Sequence, residues 1–588
     1  MKKYVSLVLF SLLSWAVCAK DFPKVILAGD YPDPTILRDG KDYYMTHSPF
    51  YYAPGFLIWH SQDLEHWEPV CRAMAQWEGS AMAPDLVKYN NRYYIYYPAA
   101  GTNWVIWADN IRGPWSAPKD LKVNGIDPGH VADADGKRYL YLSEGKVVQL
   151  SDDGLSTVGE VKKVYDGWPY PRNWRTEGMY LESPKLNYHN GYYYLTSAEG
   201  GTAGPGTSHM VVTARSKSVL GPWENSPFNP LVHTYSERES WWSRGHGTLI
   251  DDVNGNWWVV YHAYAKGYHT LGRQTLIEPI EWTPDGWCRA KSAGTLPKAE
   301  APIRHGLELS DDFQGAKLGL QWTFWKEYAP KAVSIENRTL RLKAKGNTPA
   351  DGRLLLATAE DKNYETQVEV TVGKNNTAGL LLYYSEKAYA GLVSDGKTFT
   401  VYRHAGQKTE MPNTLGRQFT VRIKNQGNHV SISVGKDGKE WTTLAEGIDV
   451  SGMHHNAYKG FYALRIGLVS IGKGEAAFRR FRYKNAVPQE KDLSAYLMVF
   501  HKDETHGLYM ALSRDGYTFT ALNDGEPVLA GDTIAYQRGI RDPYIYRGPD
   551  GAFYLAMTDL HVFARRDGYR ETEWERDRNM YGWGNNKG

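Results

Sequence analysis

The chain has 588 residues, a formal net charge of +2 at pH 7, 42% hydrophobic and 23% charged residues. Such a length predicts several domains with cores of their own. Near-balanced charge without long Lys/Arg runs argues against a phosphate-binding face, and so against nucleic acid as a partner. Aromatic content stands out, with 42 Tyr and 21 Trp; most suit β packing, and flat rings with polar edges also suit sugar faces.

Residues 1–19 read as a signal peptide, with Lys2-Lys3, an apolar run and the small-residue exit Val17-Cys18-Ala19. Cleavage after Ala19 implies an exported protein, periplasmic or extracellular. Cys18 offers a lipoprotein alternative, for which Trp15-Ala16-Val17 is a poor lead-in. No later stretch has the apolar length of a membrane span. Behind the leader only Cys71 and Cys288 remain, enough for one disulfide and not for a framework.

A strand-turn-strand unit then recurs: "DPTILRDGKDYYMTHS" from Asp33, "APDLVKYNNRYYIYYPA" from Ala83, "DPGHVADADGKRYLYLSE" from Asp127, "ESPKLNYHNGYYYLTSAE" from Glu182 and "GHGTLIDDVNGNWWVVYHAY" from Gly245. A repeat of about 40 to 65 residues without helical periodicity is propeller-blade spacing. The units predict a five-bladed β-propeller over residues 20–300. Asp33, Asp85, Asp127, Glu182 and His246 open its inner strands and should gather at one mouth of the channel. From Leu309 the pattern becomes alternating strands with Gly/Asn/Asp turns, a two-sheet β-sandwich over 305–485. "NAVPQEKD", Asn485 to Asp492, reads as a linker. Then "RDPYIYRGPDGAFYLAMTD" from Arg541 repeats the opening of the first unit, with Asp542 at the place of Asp33. Residues 493–588 are therefore expected to form a partial second propeller-like segment. The predicted class is all-β: propeller, sandwich and partial second propeller.

With these motifs the chain resembles glycoside hydrolase family 43. "YPDPTILRDGKDYYM" resembles the family's opening, "IDPGHVADADGKRYLYL" its middle Asp motif, "ESPKLNYHNGYYYL" its Glu motif and "LGRQTLIEPIEW" its closing strand. The sandwich is similar to the concanavalin-like accessory domain of many members. The resemblance implies a hydrolase that removes arabinofuranosyl or xylosyl residues from plant cell-wall polysaccharides or oligosaccharides with inversion. It assigns Asp33 as general base, Glu182 as general acid and Asp127 as modulator of the acid. Inversion calls for an ionised carboxylate to activate water and a protonated one to deliver a proton to the leaving oxygen. Arg273 looks like the family's sugar-reaching arginine. Glu177, Asp85 and His246 are further candidates for contact with sugar.

Glu177 competes with Glu182 in "RTEGMYLESPKL", and the Pro-Lys-Leu spacing favours Glu182. Met82 stands where the family often has a Trp platform. No cofactor is required by this chemistry. The resemblance allows a calcium ion on the propeller axis with His246 as its candidate ligand, although "DADG" at Asp133 is too short for a calcium loop. An exo-galactosidase of the same family and a non-catalytic carbohydrate-binding propeller are the alternatives.

Overall fold

A computed structural model describes residues 22–75, 78–291, 302–486, 495–514, 517–548 and 552–563. The predicted signal peptide and most of the predicted linker lie outside these residues. The first part of the chain forms five antiparallel sheets whose inner strands are Thr35–Asp39, Asp85–Tyr89, Gly129–Ala132, Leu181–His189 and Trp241–Asp251. Each is the blade of a propeller. Strands such as Arg92–Ala99 are apolar at nearly every position because both faces of a blade are covered by its neighbours. Between blades 2 and 3, for example, Tyr94, Tyr96 and Val105 pack with Leu140, Leu142 and Val148. The ring closes when the N-terminal strand Lys24–Leu27 pairs with Arg273–Trp282 of blade 5. Sheet pairing thus joins the two ends of the propeller.

Two successive rings of side chains stand at the inner-strand starts. The first consists of Asp33, Ala83, Asp127, Ser183 and His246, and four of these five have left-handed backbones, with φ of 57°, 56°, 54° and 57° at Asp33, Asp127, Ser183 and His246. Thr35, Asp85, Gly129, Lys185 and Thr248 follow two residues later and stitch blade to blade. Leu86 donates its N–H to Thr35 Oγ1 at 3.0 Å, His130 donates its N–H to Asp85 Oδ2 at 2.7 Å, and Thr248 Oγ1 donates to the Pro34 carbonyl at 3.0 Å.

In the sandwich, one sheet runs through Asn376–Ser385, Arg465–Gly472, Arg353–Ala357 and Thr323–Trp325, and the other through Glu475–Asn485, Asn363–Thr371 and Gln418–Gln426. Strict alternation of buried and half-buried residues along Asn363–Thr371 is the mark of one face on a core and one on solvent. Its first sheet is extended by a propeller strand: Tyr52–Ala53 pairs antiparallel with Thr323–Trp325. Arg465 reaches Asp30 of the propeller at 3.2 Å, with 8% and 1% of the side chains exposed, and its Cζ lies 3.4 Å from the Tyr52 ring centroid. Propeller and sandwich therefore share a sheet and a buried ion pair. Cys71 and Cys288 are free thiols, so the one disulfide the composition permits is not formed between them.

The C-terminal unit, taken by itself, has a sheet of Tyr496–Lys502, Gly507–Ser513 and Thr520–Ala521 and a hairpin of Ile540–Arg547 with Phe553–Asp559. Asp542 has φ 47° and donates its N–H to His501 Nδ1 at 3.1 Å. Asp33, with φ 57°, does the same to His262 Nδ1, also at 3.1 Å. The repeated motif is thus a repeated local structure.

Candidate active site

Left-handed backbone is costly for residues with a Cβ, by roughly 1 kcal/mol or more each, and collects at functional sites. At this mouth it recurs at Asp33, Asp127, His246, Phe50 and Phe461.

Asp33 is buried and fully engaged. Arg273 Nη1 donates to Oδ1 at 2.8 Å and Ser48 Oγ to Oδ2 at 2.5 Å. His246 Nδ1 lies 3.4 Å and His262 Nδ1 3.2 Å from Oδ1. Burial alone would push this carboxyl up; the Arg273 guanidinium against it overcomes burial and holds it well below the usual carboxylate range. An aspartate in this setting stays ionised and accepts protons, as a base must. His262 is neutral, its pKa brought down to about 4 mainly by burial. Its Nδ1 accepts the Asp33 N–H, so Nε2 carries the proton and donates to Thr202 Oγ1 at 3.1 Å.

Asp127 and Glu182 form the opposite environment. Asp127 is buried, its Oδ2 accepts the Ser183 N–H at 3.1 Å, and burial, then the charge of Asp33, pushes its carboxyl up. Glu182 is half-buried. Burial, then Asp127, Asp33 and Glu177, raise it to about 8 against the smaller opposing pull of Arg273. The two carboxyls titrate as a coupled pair, and the Ser183 N–H and the charge of Lys185, both on the side of Asp127, place the shared proton on Glu182. One site therefore holds an anionic Asp33 and a protonated Glu182.

The remaining candidates take distinct places. Arg273 is clamped on Asp33, its Cζ 5.6 Å from the Phe50 ring centroid and 5.3 Å from that of Phe461, which belongs to the sandwich. Phe461 stacks on His455 at 3.8 Å. Beside it Asn456 exchanges two hydrogen bonds with the backbone of Gly204, at 3.1 and 3.2 Å. The sandwich thus forms one wall of the site. Glu177 is exposed; its Oε2 accepts the Ala203 N–H at 2.7 Å and its own N–H goes to Ser208 Oγ at 2.7 Å. Asp85, a candidate for sugar contact, is turned inward. Its oxygens are committed to Lys185, Thr35 and the His130 N–H because it belongs to the second ring. Glu182 does not share the offset of Asp33 and Asp127 either: Ser183 does, and Glu182 precedes it by one residue.

Asp33, His246 and His262 bring ligand atoms within 4.8 Å of one another, yet they fit calcium poorly. Calcium takes six to eight oxygens, His262 has no lone pair left, and the Arg273 guanidinium already occupies Asp33.

Sequence reasoning missed His262, Ser48, Phe50, Phe461 and Lys185. His262 hides in the apolar strand "VVYHAY", and its neighbourhood with Asp33 follows from ring closure. Phe461 lies in another domain, and no sequence signal links it to the site.

The sequence profile of Glycosyl hydrolases family 43 matches residues 22–288. A profile described as Beta xylosidase C-terminal Concanavalin A-like domain matches 310–484, and one described as Probable glycosyl hydrolase domain matches 491–586. A non-reducing end alpha-L-arabinofuranosidase of Bacteroides ovatus is 30% identical over 540 residues, covering 81% of this chain and 97% of the relative. A xylan 1,3-beta-xylosidase of Vibrio sp is 30% identical over 433 residues, 62% of this chain and 77% of the relative. Among solved structures, xylan beta-1,4-xylosidase of Bacillus halodurans superimposes with TM-score 0.69 at 28% identity, covering 78% of this chain and 99% of that one.

Proposed function

The chain belongs to glycosyl hydrolase family 43 and is a glycosidase, and we propose that it releases terminal arabinofuranosyl or xylosyl residues from plant polysaccharides or oligosaccharides with inversion at the anomeric carbon. The observation that carries this reading is a pair of carboxyls in opposed settings at one propeller mouth, Asp33 clamped by Arg273 at 2.8 Å, which favours its anion, and Glu182 set beside Asp127 without such a clamp, which favours its proton.

Asp33 takes a proton from a water molecule as its oxygen bonds to the anomeric carbon. The bond from that carbon to the leaving oxygen breaks, and Glu182 gives its proton to that oxygen. Negative charge on Asp127 beside Glu182 favours return of the proton after turnover. Asp33 then loses its proton to solvent. Arg273, steadied between Phe50 and Phe461, keeps Asp33 ionised and offers donors toward a sugar. A wall supplied by the sandwich favours a terminal residue over a chain threaded through the site. Action outside the cytoplasm follows from the signal-like leader.

The test is a panel of 4-nitrophenyl α-L-arabinofuranoside, β-D-xyloside and β-D-galactoside, followed by proton NMR of the first-formed sugar. Cleavage of a pentoside with the inverted anomer appearing first is expected. Preference for the galactoside would select the galactosidase reading, and binding without turnover the lectin reading. A retained anomer would overturn the single-displacement mechanism.

A further inference from the structure

We propose that Lys185 is a positioning residue of the hydrolytic site: an ammonium fixed on the propeller axis that holds the blades bearing Asp127 and Glu182 in register and supplies positive charge next to them. The proposal rests on the assignment of Asp127 and Glu182 made above.

Lys185 lies three residues beyond Glu182 on the inner strand of blade 4, and 3% of its side chain is exposed. An ammonium has three hydrogens, and here each has a partner. Nζ donates to Asp85 Oδ1 at 2.9 Å, to the Pro84 carbonyl at 2.9 Å and to the Pro128 carbonyl at 3.0 Å. The two carbonyls belong to the residues just before Asp85 and just after Asp127. One side chain therefore ties blade 4 to blades 2 and 3 at the level of the catalytic ring. Gly129, in blade 3, occupies the same ring position as Lys185, and a Cβ there would lie 1.8 Å from the Pro184 carbonyl. The missing side chain lets the strands of blades 3 and 4 close up.

A buried ion pair is poor evidence of stabilisation, since an apolar pair of similar volume often does as well. Its placement gives this one another use. The groups facing Asp127 and Glu182 from the surrounding blades are Asp33, Asp85, Glu177, Lys185, His246 and Arg273. His246 is held neutral by burial, so Arg273 and Lys185 are the cations of this set. Arg273 is committed to Asp33. Lys185 favours the anion at Asp127, and that anion in turn keeps the proton on Glu182.

The experiment compares kcat/KM pH profiles of wild type, Lys185→Met and Asp85→Asn on the glycoside the wild type cleaves. Lys185→Met removes the cation, so both limbs of the bell should move up by about half a unit or more, with kcat down about tenfold and KM within about threefold. Asp85→Asn keeps the cation and removes its counter-charge, so both limbs should move down. A merely structural lysine would not produce shifts of opposite sign. If Lys185→Met fails to fold, the double variant Asp85→Asn/Lys185→Met, which buries no unpaired charge, is compared with Asp85→Asn: limbs that lie higher in the double variant support the proposal, and coincident profiles overturn it. An active wild type whose variants keep its profile overturns the role of Lys185 and leaves the roles of Asp33 and Glu182 standing.

Discussion

Replacing Arg465 by Met tests how the sandwich is held to the propeller. The change keeps a long apolar stem against Tyr52 and leaves Asp30, 3% exposed, without the ion-pair partner it has at 3.2 Å. A buried carboxyl in that position takes up a proton. From an unfolded pKa near 3.9, staying protonated at pH 7 costs about 3 units, or roughly 4 kcal/mol, and at pH 5 about 1.5 kcal/mol. Burial already lifts Asp30 in the wild type against Arg465 and Arg273, so part of this penalty is present beforehand. A net loss of about 2–4 kcal/mol at pH 7 is expected, shrinking toward pH 5. The sign follows from proton uptake: the variant's folded state binds a proton that its unfolded state releases above pH 3.9, so the variant loses stability as pH rises. Urea unfolding of wild type, Arg465→Met and the double variant Asp30→Asn/Arg465→Met at both pH values reads this directly. The double variant should recover most of the loss at pH 7. A loss under about 1 kcal/mol, or one equal at both pH values, would refute the reasoning.

Three further outcomes are expected. Asp33→Asn removes the base and should lower kcat by several orders of magnitude, whereas Asp542→Asn, in the repeated motif, should leave kcat/KM within about twofold in a steady-state assay. Phe461→Ala removes a ring beside Arg273 and should raise KM about tenfold, as expected for losing roughly 1–2 kcal/mol of binding, with a smaller change in kcat. Glu199 is buried, accepts the Trp168 N–H at 2.6 Å, and burial raises its pKa to about 7. Its folded state holds a proton that the unfolded state has lost above pH 4.5, so this group removes stability as pH rises from about 4.5 to 7, by roughly 3 kcal/mol in all. Urea unfolding of Glu199→Gln should lack that share of the slope.

The architecture was readable because a blade is a local object. Alternating aromatic strands around Gly or Asn turns, repeated five times, leave few folds open, and the ring itself follows once the repeats are counted. Residue chemistry at the starts of the repeats also pointed to Asp33, Asp127 and Glu182. What stayed hidden depends on register and on distant packing. A one-residue difference places Ser183, not Glu182, opposite Asp127, and a two-residue difference moves Asp85 from the sugar side into the ring where Lys185 holds it. No local pattern distinguishes those offsets, because the left-handed residue that sets them is a backbone property. His262 and Phe461 come to the site through ring closure and domain docking.

The account stands on Glu182 as the proton donor, and the leaving-group dependence of Glu182→Gln tests it most directly. With aryl glycosides of the preferred sugar, the variant should approach wild-type kcat/KM for strongly acidic phenols and fall by about a thousandfold or more for poor leaving groups, and its alkaline limb should vanish. Equal losses across the series, with the alkaline limb retained, would contradict it.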